Sequence, residues 1–236
     1  FRRVLFRSAV LFGLCSAAVL LSFSRAAWGQ LAFAAHMVLF LTLVTSPSSN
    51  QRMRIVLLAI AGVGGLALFM AGLLSLEAVS NLLKERLNFN QSYDVGETGR
   101  FGRHLLGALL ALDVPFGIGP LQFPKFFPED PHNSYLNAFM SGGWLAGVCY
   151  PTLVLVSLYY GMRAVFTPTP WQRTTIVIYT AYFTTAAESA IIDSDHWRHG
   201  FLILGVLWGL IAASRAYASA GFSGRKPALA HQHPPS

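Results

Sequence analysis

Apolar residues fill this chain in long runs, not in the short alternating stretches of a soluble sheet protein. Six runs approach or reach the roughly 20 residues an α-helix needs to cross hydrocarbon. They predict spans at about 4–22, 26–44, 55–76, 142–162, 174–192 and 200–218. Phe23-Ser24-Arg25 separates the first two and leaves room only for a tight turn. Between the third and fourth runs lies a long polar stretch, Glu77 to Ser141. Within it, Leu105 to Leu112 is apolar again and predicts a short helix lying on or dipping into the membrane. Pro115, Gly117, Gly119 and Pro120 then break the pattern into turns. From Gly221 the chain is rich in Pro, Ala and His and reads as a disordered tail. The expected architecture is an all-α polytopic membrane protein with about six transmembrane helices and one long loop between the third and fourth. It divides into 1–76 (three helices), 77–141 (loop with short helices), 142–218 (three helices) and 219–236 (cytoplasmic tail). No internal repeat is visible.

The charges give this pattern a direction. Arg2, Arg3 and Arg7 precede the first run, Arg52 and Arg54 lie between the second and third, and Arg163 and Arg173 bracket the loop after the fourth. Arg215, Arg225 and Lys226 follow the sixth. All these segments fall on one side of the expected membrane, which the positive-inside rule makes cytoplasmic. All 10 Asp and Glu residues fall on or near the other face. The long loop and the short segment Asp193 to His199 are therefore expected on the periplasmic side.

Composition agrees. The chain is 54% hydrophobic and only 11% charged, against about 25% charged in soluble domains. Its net charge of +7 is accounted for by helix-end arginines, so nucleic acid is not an expected partner. Cys15 and Cys149 both lie in apolar runs, which argues against a disulfide framework. The chain opens on Phe1 without a secretory signal pattern. It reads as a fragment of a longer protein, with Phe1 to Ser8 as candidate foreign sequence.

Candidate chemistry gathers on the loop side. Pro131-His132-Asn133-Ser134-Tyr135-Leu136 closes the long loop and opens an apolar run. His132 is a candidate general base, because histidine as a side-chain type can take up and release a proton under physiological conditions; Asn133 is a candidate to orient it or a sugar hydroxyl. The plainer alternative is a helix start capped by Asn133 or Ser134. Thr98-Gly99-Arg100-Phe101-Gly102-Arg103 spaces two arginines to share a helical face, and guanidinium groups grip phosphate oxygens in bidentate fashion. Lipid-headgroup contact is the plainer account of that pair. Arg25 stands between two spans with almost no loop, and snorkelling to the interface would account for it. His36 reads as a packing residue. Asp193, Asp195, His196 and His199 lack metal-ligand spacing, and no metal or cofactor is expected. There is no P-loop, no Gly-x-Ser-x-Gly and no zinc spacing.

The order of these short motifs resembles the O-antigen ligase/polymerase family. Ser24-Arg25-Ala26, Gly99-Arg100, Gly117-Ile118-Gly119 and His132-Asn133-Ser134-Tyr135-Leu136 match the family's elements in sequence, before Gly142-Gly143-Trp144-Leu145-Ala146-Gly147. The resemblance covers about residues 9–218. Two departures stand out: no Glu precedes Gly142-Gly143, and the family has roughly twice as many spans, so this chain looks like its C-terminal half.

The resemblance implies a membrane glycosyltransferase of the C-type fold in the bacterial inner membrane, with its active site facing the periplasm. Its donor would be an undecaprenyl-diphosphate-linked glycan. Its acceptor would be lipid A-core in a ligase, another lipid-linked repeat in a polymerase, or protein in an O-oligosaccharyltransferase. His132 would be catalytic, with Arg100, Arg25 and Arg103 binding the diphosphate. Asn133, Tyr135, Gly117 and Gly119 would position substrate. No nucleotide sugar or metal is implied. A transporter and a non-catalytic glycan binder are the rivals. The few intramembrane ionisable residues and the missing inverted repeat weigh against transport.

Overall fold

The computed structural model describes residues 2–77, 79–81, 99–127 and 129–221, without the side chains of 2–6, 8, 9 and 100. The described residues form an all-helical bundle. Its helices are α1 (Arg2–Leu21), α2 (Arg25–Thr45), α3 (Ser49–Leu74), α4 (Arg100–Asp113), α5 (Ser134–Val165), α6 (Gln172–Glu188) and α7 (Arg198–Ser219), with a 3₁₀ turn at Phe123–Lys125. Four of them, α2, α3, α5 and α7, are long and apolar enough to cross a membrane. The 26-residue α3 buries none of its residues against protein. Such a helix belongs in lipid.

Helices α1 and α6 occupy the places of the other two expected spans but differ from them. In α1 only Val10–Leu21 is strongly apolar. Helix α6 has 17 residues and sits inside the bundle, packed by α2, α5 and α7. It faces neighbours instead of lipid, so threonines replace aliphatic residues. Their hydroxyls return to the helix itself: Thr184 Oγ1 donates to the Thr180 carbonyl at 3.0 Å and Thr185 Oγ1 to the Ala181 carbonyl at 2.9 Å.

One core lies at the arginine end. Leu41, Val165, Ile176, Tyr179, Leu207 and Ile211 are all but fully buried there. Helices α2 and α6 run antiparallel, because Leu41 meets Ile176 in this core while Phe33 stacks on Phe183 at 5.7 Å. Arg25 and Glu188, further along the two helices, therefore come to the same end of the bundle. Gly161 lets α5 approach α6: a Cβ there would stand 2.7 Å from the Tyr179 ring.

A second, smaller core lies at the other end, where Ala111, Phe123, Leu136 and Met140 join α4 and the 3₁₀ turn to the first turns of α5. Helix α5 begins at Ser134, ahead of the expected start of the fourth span. It breaks at Gly143, whose φ of 68° and ψ of −164° fall in a region essentially reserved for glycine. The turn Pro115–Gly119 fills the break. Trp144 N donates to the Pro115 carbonyl at 2.9 Å, and Ile118 N to the Met140 carbonyl at 2.7 Å. The Trp144 N–H and the Met140 carbonyl freed by the kink are thereby satisfied. The expected tail beyond Gly221 lies outside the described residues, as do residues 82–98 of the expected long loop.

Candidate active site

The short loop between α6 and α7 folds onto the start of α5. Ser134 is its pivot and is fully buried. Its N–H donates to the Ser189 carbonyl at 2.8 Å, its hydroxyl to the Ile192 carbonyl at 3.1 Å, and it accepts from Ser194 N at 2.7 Å. Ser189 and Ser194 share a further short hydroxyl contact. Tyr135 ties the same start of α5 to the end of α6, its hydroxyl donating to the Ala186 carbonyl at 2.6 Å. Asn137 Nδ2 donates to Asp195 Oδ2, also at 2.6 Å.

This clasp brings Asp193 beside His132. His132 Nδ1 stands 3.2 Å from Asp193 Oδ2, with the histidine side chain 36% and the aspartate 19% exposed. The other carboxylate oxygen accepts from Asn133 N at 3.0 Å. Burial raises the Asp193 pKa above the ordinary aspartate value; nearby His132 and the Asn133 N–H oppose that rise, while Asp195 and Asp130 add to it. His132 has a φ of +47°, a left-handed backbone that histidine adopts more readily than most residues but still at a cost of about 1–3 kcal/mol. It is held there by Pro131 before it, which is fully buried, and the Asn133 cap after it. Among the described residues, His132 Nε2 has no hydrogen-bond partner. A solvent-reaching imidazole fixed through Nδ1 by a carboxylate can accept a proton at Nε2.

The other expected site residues are placed as follows. Asn133 caps α5, its side chain accepting from Leu136 N at 3.0 Å; Asn133 and Tyr135 are thus engaged within the protein. Gly117 has φ of 76°, and a Cβ there would lie 2.6 Å from Gly143 N. Gly119 is also left-handed, at φ 92°, but more open. Both serve the turn that locks into α5. Arg25 opens α2 behind the Ser24 cap, which accepts from Ala27 N at 3.4 Å. Arg103 is 4% exposed, and its Nη1 donates to Glu129 Oε2 at 2.6 Å. Its Nε is buried without a partner among the described residues. Arg100 opens α4, but its side chain lies outside the described residues. His36 Nδ1 contacts the Ala32 carbonyl of its own helix at 2.7 Å. No cluster of three His, Cys, Asp or Glu side chains among the described residues could hold a metal.

Sequence reasoning missed Asp193 as the partner of His132. It set the Asp193–His199 segment on the same side as His132, but chain separation hides the pairing. Glu188 was also missed: it ends α6 at the same end of the bundle, with Oε2 buried and unpartnered among the described residues. Compared with known proteins, the chain matches no family model, no curated protein and no solved structure.

Proposed function

We propose that this protein is a membrane glycosyltransferase. It moves a glycan from an undecaprenyl-diphosphate donor to an acceptor hydroxyl on the periplasmic face of the inner membrane, most simply O-antigen to lipid A-core. Polymerisation of lipid-linked repeats and protein O-glycosylation are the alternative outcomes of the same chemistry. The reading rests on the His132–Asp193 contact at the mouth of a membrane helix, together with the family resemblance of the motifs around it.

In this mechanism Asp193 accepts from the Nδ1–H of His132 and leaves the lone pair on Nε2. Nε2 takes the proton of the acceptor hydroxyl as its oxygen attacks the anomeric carbon. The bond from that carbon to the diphosphate breaks, the electron pair leaves with the phosphate oxygen, and the anomeric configuration inverts. Arg100 and Arg25 are assigned to hold the diphosphate, whose charge grows as the sugar departs. Arg103 is the third candidate. It already binds Glu129, so an anion reaching it would have to share or displace that carboxylate.

The test is incubation of the full-length protein, reconstituted in vesicles, with purified lipid-linked glycan. Glycan appearing on added lipid A-core identifies a ligase. Lengthened lipid-linked glycan without added acceptor identifies a polymerase. Glycan appearing on an added acceptor protein identifies a protein glycosyltransferase, and failure to consume the donor under all three conditions rejects the proposal.

Two further outcomes are expected. Asp193→Asn keeps shape and can still accept from Asn133 N, but loses the charge that fixes the imidazole. Transfer should fall on the order of tenfold to a hundredfold, a share of the 10²–10⁴ that a general base contributes. Because the folded-state pKa of Asp193 is raised, its contribution to stability is full below the unfolded pKa and is lost as pH rises through the folded one. Removing the charge should therefore leave Tm at neutral pH unchanged or slightly higher. A parallel loss of Tm and activity would make Asp193 merely structural. In the wild type, the Asp193 carboxylate should lose its charge, and with it activity, at a higher pH than an ordinary aspartate would. The second outcome concerns sidedness. With Cys15 and Cys149 replaced, cysteine at Asp130 should label from outside and cysteine at Ser48 only from inside; the reverse pattern excludes a periplasmic site.

A further inference from the structure

Helix α4 is built inside out for a water-exposed loop. The side it turns to the protein carries Arg103, Gly107 and Ala111. Gly107 is pressed so close that a Cβ would stand 2.9 Å from the Leu136 side chain. The opposite side presents Leu105, Leu109 and Leu112, all exposed and spaced to share one helical face. The turn that follows adds Phe116, at 93% exposure, and further on Leu121, at 85%. A contiguous apolar surface of this kind needs a cover.

Depth along α5 identifies the cover. Hydrocarbon about 30 Å thick takes about 20 helical residues. Counted back from Arg163, in the last turn of α5 at the arginine end, that length reaches Gly143. The break in α5, and the turn Pro115–Gly119 locked into it, then stand at the boundary between hydrocarbon and headgroups. Trp144 stands at the same level, its Nε1 donating to the Ala111 carbonyl of α4 at 2.8 Å; tryptophan favours that boundary. On α5 itself, Leu145 and Val148 are exposed just below, so the apolar side of α4 continues the lipid-facing surface of a membrane span.

We propose that α4 and the turn after it form an in-plane anchor in the leaflet on the His132 side. Leu105, Leu109, Leu112 and Phe116 dip into the acyl region, and lipid is their partner. The first turns of α5 then carry His132 beyond the hydrocarbon boundary, by at most about 15 Å, through or past a headgroup layer about 5–8 Å thick. This inference depends on the fold alone and stands or falls independently of glycan transfer.

Nitroxide labels placed singly at Leu105, Leu109, Leu112 and Asp130 test it, in the cysteine-free protein reconstituted into phosphatidylcholine/phosphatidylglycerol vesicles. All four positions are exposed, so labelling leaves the packing intact. The three leucine positions should be mobile and collide more with oxygen than with a polar nickel chelate, while Asp130 shows the reverse. Nickel-favoured collisions at the leucines would put α4 in water and overturn the proposal. Labels immobile and shielded from both reagents would overturn it too, by showing that protein covers this surface.

Discussion

His132→Ala should reduce glycan transfer about 10²–10⁴-fold while the protein still inserts and still binds donor. The imidazole reaches solvent, so its removal costs little packing, and the left-handed backbone at φ +47° is no harder for alanine than for histidine by more than a fraction of that strain. His132→Gln separates the two roles open to the ring. Glutamine can hydrogen-bond but cannot take the proton, so a base predicts a loss close to that of alanine. Near-normal transfer by the Gln variant would make His132 a positioning group. Near-normal transfer by the Ala variant would remove it from the site. Donor binding, measured alongside, distinguishes loss of chemistry from loss of substrate.

Gly143→Ala should be the most damaging small substitution for folding. Its backbone lies where essentially only glycine is stable, and a Cβ would stand 2.3 Å from the Pro115 carbonyl oxygen. Backbone strain and overpacking each contribute about 1–3 kcal/mol. The turn carrying Gly117 should be expelled from the break, leaving Trp144 N and the Met140 carbonyl without their partners. In detergent, Tm should drop by on the order of 10 °C. Gly64→Ala is the control: nothing lies within 4 Å of its Cβ position, and alanine is the better helix former by about 1 kcal/mol. Equal Tm values for the two variants would mean that the turn and the break are not interlocked.

These two residues mark what the chain discloses on reading and what it hides. Helices α2 and α3 are legible because each is apolar over a length sufficient to cross a membrane. Helix α6 is legible as an apolar run, but its threonines become intelligible only once its place inside the bundle is known. The early start of α5 is not legible: Ser134 and Asn137 are polar because they bond the α6–α7 loop, and Ser141 bonds Asn137. The break at Gly143 gives no local signal either, since two glycines in an apolar run read as packing residues. It exists because Pro115–Gly119 supplies the missing hydrogen bonds. Likewise, His132 stands out in the sequence as a histidine at a helix mouth. Its partner does not, because Asp193 lies 60 residues beyond Asn133 and is delivered by the Ser134–Ser194 clasp. Arg103 shows the converse: its spacing from Arg100 is legible, its engagement with Glu129 is not.

Release of undecaprenyl diphosphate tests the central claim most directly. Full-length wild-type protein and its His132→Ala variant, each reconstituted with donor labelled in the lipid and with lipid A-core, should be compared by the free lipid diphosphate formed. The wild type should release it in step with glycan transferred, and the variant should release on the order of a hundredfold less or below. No release by the wild type, or equal release by both proteins, would contradict a glycosyl-transfer centre at His132.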